Sequence, residues 1–170
     1  MEAEAGLSEK IGAILREKGL FLVTAESCSG GLLAHLITSV PGSSDYFLGG
    51  LVVYSNAAKQ RWLNVRAATL KEYGAVSRET VLEMASGARN ALGARVPAER
   101  VIALVISGIA GPGGGTQGKP VGLVWIALSN AAGQKSQDFH FQGSRKEAMR
   151  QAAVAALEML SGQLRPIQRA

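Results

Sequence analysis

The stretch LFLVTAESCSGGLLAHLI, residues 20–37, decides the fold because a strand, a turn and a helix follow one another in it. Residues 20–23 form an apolar run typical of a buried strand. Beyond the turn, four apolar residues recur at the spacing of one helix face: Leu32, Leu33, Leu36 and Ile37. Between the two runs lie a carboxylate, two serine hydroxyls, a thiol and two glycines, next to the amides that a helix start leaves free.

The composition indicates one globular domain that spans residues 1–170. Hydrophobic residues make up 47% of the chain and charged residues 18%, which excludes a disordered protein. No apolar run reaches the roughly 18 residues that a membrane span needs, and the acidic start MEAEAGLSEK has no signal-peptide pattern. The single cysteine excludes an internal disulfide, so we expect a reducing, cytoplasmic location.

The charge pattern favours a small anionic ligand over a nucleic acid or a membrane. The net charge is +5, but lysines and arginines are spread along the chain, and aromatic residues make up only 5%. The two histidines, His35 and His140, lack cysteine or carboxylate partners at ligand spacing, so we expect no metal site.

Helical and strand patterns alternate along the chain, which predicts a three-layer α/β/α sandwich around a mixed, mostly parallel sheet. Helices are predicted at 7–19, 29–39, 57–63, 66–73, 78–93 and 144–162, and strands at 20–25, 46–55, 100–112, 121–129 and 135–142. The last two strands are joined by the short connection NAAGQ, so we expect them to pair antiparallel.

Three loops rich in small polar residues follow predicted strands, at 26–31, 54–59 and 107–120. In α/β folds, ligands bind beyond the ends of the strands, where loops lead into helices. If the three strands run parallel, these loops meet at one edge of the sheet.

Ser27 is the first candidate nucleophile, because it precedes a predicted helix start. The amides of Ser29, Gly30 and Gly31, with the helix dipole, are placed to hold an oxyanion. The simpler alternative is that Ser27 or Ser29 only caps the helix. Cys28 is a second candidate nucleophile, but no histidine base lies nearby in sequence, so a small buried thiol is the better interpretation.

A serine nucleophile needs a base, and Lys59 is the candidate. With Asn56 as the helix N-cap, Lys59 takes the third helical position, where the helix dipole disfavours an ammonium. Partial burial lowers a lysine pKa further. Tyr54, at the predicted strand end, can join the serine and the lysine and relay a proton. The alternatives are a solvated helix lysine and a strand aromatic with a hydrated hydroxyl.

The loop SGIAGPGGGTQGKP, residues 107–120, is dense in glycine and can wrap a phosphate or a ribose with its amides. We include its first residues, Ser107 and Gly108, among the predicted substrate-binding residues. Pro120 stands where a P-loop carries its hydroxyl residue, which argues against a Walker-type NTPase. Arg145 follows Gly143 and Ser144 at the start of the last helix and is either an anion clamp or a surface arginine.

Six segments occur in an order that resembles the carboxy-terminal domain of the CinA family, the competence- and damage-inducible proteins. They are TAESCSGG, VVYSNAAK, GAVS, SGIAGPGGG, KPVGLVWIAL and GSRKEAMRQ, and the similarity runs from about residue 7 to residue 162. The resemblance implies an amidohydrolase that converts nicotinamide mononucleotide to nicotinate mononucleotide and ammonia in pyridine nucleotide recycling, without a metal or cofactor.

Carried over residue by residue, the family's nucleophile falls on Ser27, its tyrosine on Tyr54, its lysine on Lys59 and its phosphate-binding arginine on Arg145. The implied mechanism starts from a neutral Lys59, which takes the Ser27 proton directly or through Tyr54. Ser27 then forms a nicotinoyl-ester intermediate that water hydrolyses.

This sequence departs from the family at Gly113, where an aspartate is frequent, so a role for that carboxylate is in doubt here. Where this sequence has Ser29, the family often has threonine, and both are small hydroxyl residues. Longer members carry an additional N-terminal domain that resembles molybdopterin-binding proteins; it is absent from this sequence, and we expect none of that domain's activity.

Three questions stay open at this point. The alternative function is a non-catalytic nucleotide-binding module linked to competence or the response to DNA damage. Glu26 has three candidate roles: binding a ligand hydroxyl, capping the helix, or pairing with a cation. The glycine-containing strand LGGLVVYS, residues 48–55, favours a homodimer, because glycines allow a second backbone to approach closely.

Overall fold

The computed structural model describes residues 2–164 and shows five strands and six α-helices within them. The helices are α1 Glu2–Glu17, α2 Leu32–Thr38, α3 Asn56–Leu63, α4 Ala67–Tyr73, α5 Arg78–Leu92 and α6 Arg145–Leu164. The strands are β1 Phe21–Glu26, β2 Phe47–Val52, β3 Val101–Gly108, β4 Leu123–Asn130 and β5 Gly133–His140. None of these helices combines the length and the apolar character that crossing a membrane requires.

The strands form one sheet in the order β2-β1-β3-β4-β5. Strand β1 pairs parallel with both β2 and β3, whereas β3 pairs antiparallel with β4, and β4 pairs antiparallel with β5. Strand β4 therefore runs against the other four described strands. The predicted mixed, mostly parallel sheet and the antiparallel pairing of the last two strands are both confirmed.

Helices cover both faces of the sheet, because neighbouring residues of its central strands point to opposite sides. Leu22, Leu104 and Ile106 pack in one core with α1, α2 and α6. Val23 and Val105 pack in a second core with α3, α4 and α5. The two cores give the three-layer sandwich that the alternating pattern predicts, and they explain why β1 and β3 are buried along nearly their whole length.

Several predicted boundaries differ from the observed ones. Helix α1 begins at Glu2 rather than at residue 7, and β2 ends at Val52 rather than at residue 55. Helix α2 begins at Leu32, three residues later than predicted. The predicted N-cap of α3, Asn56, is wrong: Ser55 is the N-cap, and its hydroxyl accepts a hydrogen bond from the amide of Ala58 at 3.1 Å.

Candidate active site

A cavity of about 250 Å³ lies at the edge of the sheet where β1, β2 and β3 end. Residues of all three polar loops line it, so the loops meet as predicted. The predicted site residues among them are Ser27, Tyr54, Lys59, Ser107, Gly108 and Arg145, and Cys28 also lines the cavity. Grooves of about 490–650 Å³ lie elsewhere on the described surface, but none of them holds a serine that is hydrogen-bonded to a lysine.

Ser27 and Lys59 meet in this cavity. The side-chain nitrogen of Lys59 lies 3.0 Å from Ser27 Oγ, and the two residues are only 1% (lysine) and 7% (serine) exposed. The same nitrogen donates to the main-chain carbonyl oxygens of Val53 at 2.9 Å and Tyr54 at 3.3 Å. Ser27 sits directly after β1, and Lys59 reaches it from the first turns of α3.

Burial lowers the pKa of Lys59 to about 8, because a cavity wall solvates an ammonium less well than water does. The position in the helix differs from the prediction. With Ser55 as the N-cap, Lys59 is the fourth residue of α3 rather than the third. Desolvation, not the helix start, is the main cause of the lowered pKa.

Glu26 caps helix α2 from the end of the preceding strand. Its carboxylate is 1% exposed and accepts hydrogen bonds from the Ser29 hydroxyl at 2.7 Å and from the amides of Gly31 at 3.0 Å, Leu33 at 3.0 Å and Ala34 at 2.8 Å. Of the three roles considered for Glu26, the structure therefore shows helix capping. This cap also explains the late start of α2, because the carboxylate takes the amides that an earlier helix turn would need.

The structure does not place Ser29, Gly30 and Gly31 at the cavity, contrary to their predicted role as oxyanion donors. The Gly30 amide donates to the Ser27 carbonyl at 3.2 Å, and the Gly31 amide and the Ser29 hydroxyl donate to Glu26. Neither Ser27 nor Ser29 is an N-cap; Gly31 holds that position with φ 99°. Cys28 lines the cavity, and no main-chain carbonyl within residues 2–164 accepts a hydrogen bond from its amide.

The Tyr54 hydroxyl does not bridge Ser27 and Lys59. The side chain is 61% exposed, because the residue lies beyond the end of β2, and its hydroxyl accepts a hydrogen bond from Arg145 Nη2 at 2.9 Å. Arg145 Nη1 donates to the Gly111 carbonyl at 2.7 Å. The contact of Tyr54 with Lys59 is made by its main-chain carbonyl instead. Arg145, the first residue of α6, thus connects Tyr54 to Gly111 at the cavity.

Ser107 and Gly108 line the cavity at the end of β3. The Ser107 hydroxyl donates to the Ala75 carbonyl at 2.7 Å and so ties β3 to the segment between α4 and α5. That segment contributes Ala75 and Val76 to the cavity, and neither was among the predicted site residues. The carbonyl contacts of Val53 and Tyr54 with Lys59 were also missed, since main-chain acceptors leave no side-chain signature.

Cys28 is buried beside the pair and is a weak candidate for the nucleophile. Burial raises the pKa of its thiol to about 12, so it is protonated at neutral pH. Within the described residues, no group of three or more histidines, cysteines or carboxylates is placed to hold a metal ion. His140 lies 3.5 Å from Asp138 on β5, at the surface.

Comparison with known proteins places the chain in a family. The model of the CinA C-terminal domain matches residues 4–164. A CinA-like protein of Geobacter sulfurreducens is 45% identical over 96% of this chain but only 38% of its own length. The chain therefore spans less than two fifths of that relative. A shorter relative from Enterobacter agglomerans, named nicotinamide-nucleotide amidohydrolase PncC, is 47% identical over 89% of this chain and 90% of its own length.

Solved structures agree with this assignment. The crystal structure of the competence/damage inducible protein CihA from Agrobacterium tumefaciens has a TM-score of 0.88 and 39% identity, and the match covers 95% of this chain and 96% of the other. A CinA superfamily protein of Klebsiella pneumoniae also has a TM-score of 0.88, at 35% identity over 95% of this chain and 97% of its own. By its sequence match and its fold, the chain belongs to the CinA C-terminal domain family.

Proposed function

We propose that this chain is an amidohydrolase that deamidates nicotinamide mononucleotide to nicotinate mononucleotide and ammonia. The observation that carries the proposal is the 3.0 Å hydrogen bond between Lys59 Nζ and Ser27 Oγ in a cavity at the sheet edge. The name of the relative from Enterobacter agglomerans supports the choice of substrate. A protein that only binds nucleotides does not need a buried lysine against a serine hydroxyl.

Lys59 is the general base in this proposal. As a neutral amine it has two hydrogens, which the carbonyls of Val53 and Tyr54 accept, and its lone pair then faces Ser27 Oγ. With a pKa of about 8, roughly a tenth of the molecules carry the neutral amine at pH 7. The lysine therefore needs no second side chain to orient it, and the proton passes directly from Ser27 to Lys59.

The reaction proceeds through an acyl-enzyme. Ser27 Oγ attacks the carboxamide carbon, its proton moves to Lys59, and the developing oxyanion accepts from the amide of Cys28. Lys59 returns the proton to the leaving nitrogen, and the C–N bond breaks to release ammonia. Water then attacks the ester carbonyl, again with Lys59 as base, and the C–O bond to Ser27 breaks. The carboxylate leaves, and Ser27 regains its proton.

Arg145 supplies binding energy away from the reacting carbon. Two of its donors hold the guanidinium on Tyr54 and Gly111, and a guanidinium has five N–H donors, so others are left for a phosphate. Such a remote contact positions the carboxamide against Ser27. The cationic pyridinium of the substrate makes the carboxamide carbon more electrophilic.

The test is ammonia release from nicotinamide mononucleotide by the purified chain. We expect turnover by the wild type and a loss of at least about a hundredfold in both Ser27→Ala and Lys59→Ala. Ser44→Ala and Lys71→Ala, which change exposed residues of the same types, serve as matched controls and should retain full activity.

Two results would overturn the proposal. Binding of the nucleotide without ammonia release by the wild type would favour the non-catalytic binding module. Full activity of Ser27→Ala would show that another group attacks the carboxamide.

A further inference from the structure

The hydrogen bonds of Lys59 account for every hydrogen of an ammonium group. Three acceptors lie within reach of its nitrogen: Ser27 Oγ, the Val53 carbonyl and the Tyr54 carbonyl. The two carbonyls can only accept, whatever the protonation state of the lysine. The protonation state therefore changes only the contact with Ser27.

Ser27 reverses its role when Lys59 is protonated. Against the neutral amine, Ser27 donates its hydrogen to the lysine and presents its lone pairs to the cavity. Against the ammonium, Ser27 accepts from the lysine, and its own hydrogen is free. No acceptor for that hydrogen is found among residues 2–164, and Ser27 lines the cavity, so the hydrogen is available to a ligand there.

The charges around the cavity favour an anion beside this hydroxyl. Lys59 and Arg145 line it, and no Asp or Glu of the described chain does. The nearest carboxylate along the chain, Glu26, is buried behind the turn and saturated by one hydroxyl and three amides. The thiol of Cys28 is neutral, because its pKa is raised to about 12, and Tyr54 accepts from Arg145.

The proposed reaction creates an anion at this position. Hydrolysis replaces the neutral –CONH2 group by –COO⁻ on the carbon that Ser27 attacks, with ammonia as the other product. A carboxylate only accepts hydrogen bonds, so it fits a donating Ser27 beside an ammonium and is repelled by the lone pairs of Ser27 beside a neutral amine.

We propose that the pair of Ser27 and protonated Lys59 is a carboxylate-binding site, through which the reaction product binds in competition with the substrate at low pH and is released at high pH. The proposal rests on the proposed deamidation, since it takes nicotinate mononucleotide as the product. It makes one pair of residues serve two states: a nucleophile when the lysine is neutral, and an anion receptor when it is charged.

The expected change in product affinity with pH follows from the fraction of molecules in which Lys59 is protonated. Apparent affinity scales with the populated fraction of the binding-competent form. Because the pKa of Lys59 is about 8, that fraction falls roughly tenfold between pH 7 and pH 9. Binding of the product should also draw a proton onto Lys59 from solution.

The test is isothermal titration calorimetry with nicotinate mononucleotide as the probe, at about pH 7 and about pH 9. We expect the Kd of the wild type to rise roughly tenfold with pH. At pH 8, in two buffers of different ionisation enthalpy, we expect uptake of roughly half a proton per molecule bound. Lys59→Met, which cannot be charged, should bind weakly and with the same Kd at both pH values.

The carboxylate site and the proposed deamidation are tested by different measurements. A Kd that is the same at both pH values, no proton uptake by the wild type, or an equal pH dependence in Lys59→Met would overturn the carboxylate site. The proton-uptake measurement needs only the wild type, so it decides even if the variant does not fold. Failure of the deamidation is read separately, as absence of ammonia from nicotinamide mononucleotide.

Discussion

At the scale of the residue, Lys59 is held between two carbonyls and a serine, and in the proposed mechanism its lowered pKa sets the pH at which it can act as a base. Below about pH 8 it is protonated and cannot accept the Ser27 proton. We expect kcat/KM for nicotinamide mononucleotide to fall about tenfold per pH unit below that value and to level off above about pH 9. Steady-state kinetics over this range measures it.

The same profile distinguishes the two candidate nucleophiles. If Cys28 attacked, its thiol, with a pKa of about 12, would make the rate continue to rise beyond pH 10. A plateau supports Ser27 and Lys59, whereas a continued rise contradicts them.

Burial of Lys59 also links folding to pH. In the unfolded chain the Lys59 side chain keeps its titrating proton up to about pH 10.4, whereas in the folded chain it loses that proton near pH 8. Between these pH values the unfolded state therefore binds more protons than the folded state. Stability therefore rises with pH in that window and falls as the pH drops toward 8. Relative to Lys59→Met, we expect the wild type to gain roughly 2 kcal/mol from pH 8 to pH 10 in urea unfolding. A constant difference between the two proteins would contradict the lowered pKa.

The meeting of Ser27 and Lys59 was predictable from sequence, but the partners of the Tyr54 side chain were not. Ser27 follows β1 directly, and Lys59 lies in the first turn of the helix that follows β2; parallel strands bring such segments together at one edge of the sheet. Tyr54 lies beyond the end of its strand, where the direction of a side chain depends on tertiary contacts. Arg145, 91 residues later in the chain, donates a hydrogen bond to the Tyr54 hydroxyl.

At the scale of the element, the turn that carries Ser27 depends on Glu26. A glutamine at this position keeps one oxygen but replaces the other by a donor, so it cannot accept from all four present donors. We expect Glu26→Gln to lower the free energy of unfolding by about 2 kcal/mol. The matched control is Glu147→Gln at the exposed start of α6, where the remaining oxygen can still accept from the Ser144 amide, so the change should cost less than about 1 kcal/mol. Equal effects of the two changes in denaturant unfolding would argue against the buried cap.

Helix α3, which carries Lys59, is placed by close contact with α5. A Cβ added at Gly87 would lie 1.9 Å from the Leu63 carbonyl oxygen, so α3 must move if Gly87 is replaced. We expect Gly87→Ala to destabilise the fold by more than about 2 kcal/mol and to lower deamidase activity through displacement of Lys59. Thermal unfolding and ammonia release measure the two effects.

Gly162→Ala is the control for that change, because the exposed Gly162 on α6 has open space where a Cβ would stand. We expect it to stabilise the chain by about 0.5–1 kcal/mol, since alanine favours a helix. Equal stability of the two alanine variants would show that the contact between α3 and α5 is not tight.

The elements themselves follow from hydrophobic patterns, whereas some of their ends do not. Strands β1 and β3 each begin within one residue of the predicted start, and the start of α5 at residue 78 is as predicted. The start of α2 is not, because a glutamate from the preceding strand caps it, and the residue pattern of a helix carries no sign of a distant cap.

At the scale of the whole molecule, the two edges of the sheet differ in charge. The edge strand β5 carries Lys135, Asp138 and His140, and charged side chains discourage pairing with another strand. The edge strand β2, with the sequence FLGGLV, carries no charge. Its last residue, Val52, is 54% exposed, and Trp62 on α3 is 59% exposed. The unprotected edge of β2 is therefore the surface on which the expected homodimer would form.

This difference predicts which edge controls association. We expect the wild type to sediment as a dimer at micromolar concentration and Val52→Lys to shift the equilibrium toward monomer, because a charge on the β2 edge opposes pairing. Gln137→Lys places the same charge on β5 and should leave the dimer intact. Sedimentation velocity of the three proteins measures this, with ammonia release as a check that each is folded. A monomeric wild type, or equal dissociation by both substitutions, would argue against pairing through β2.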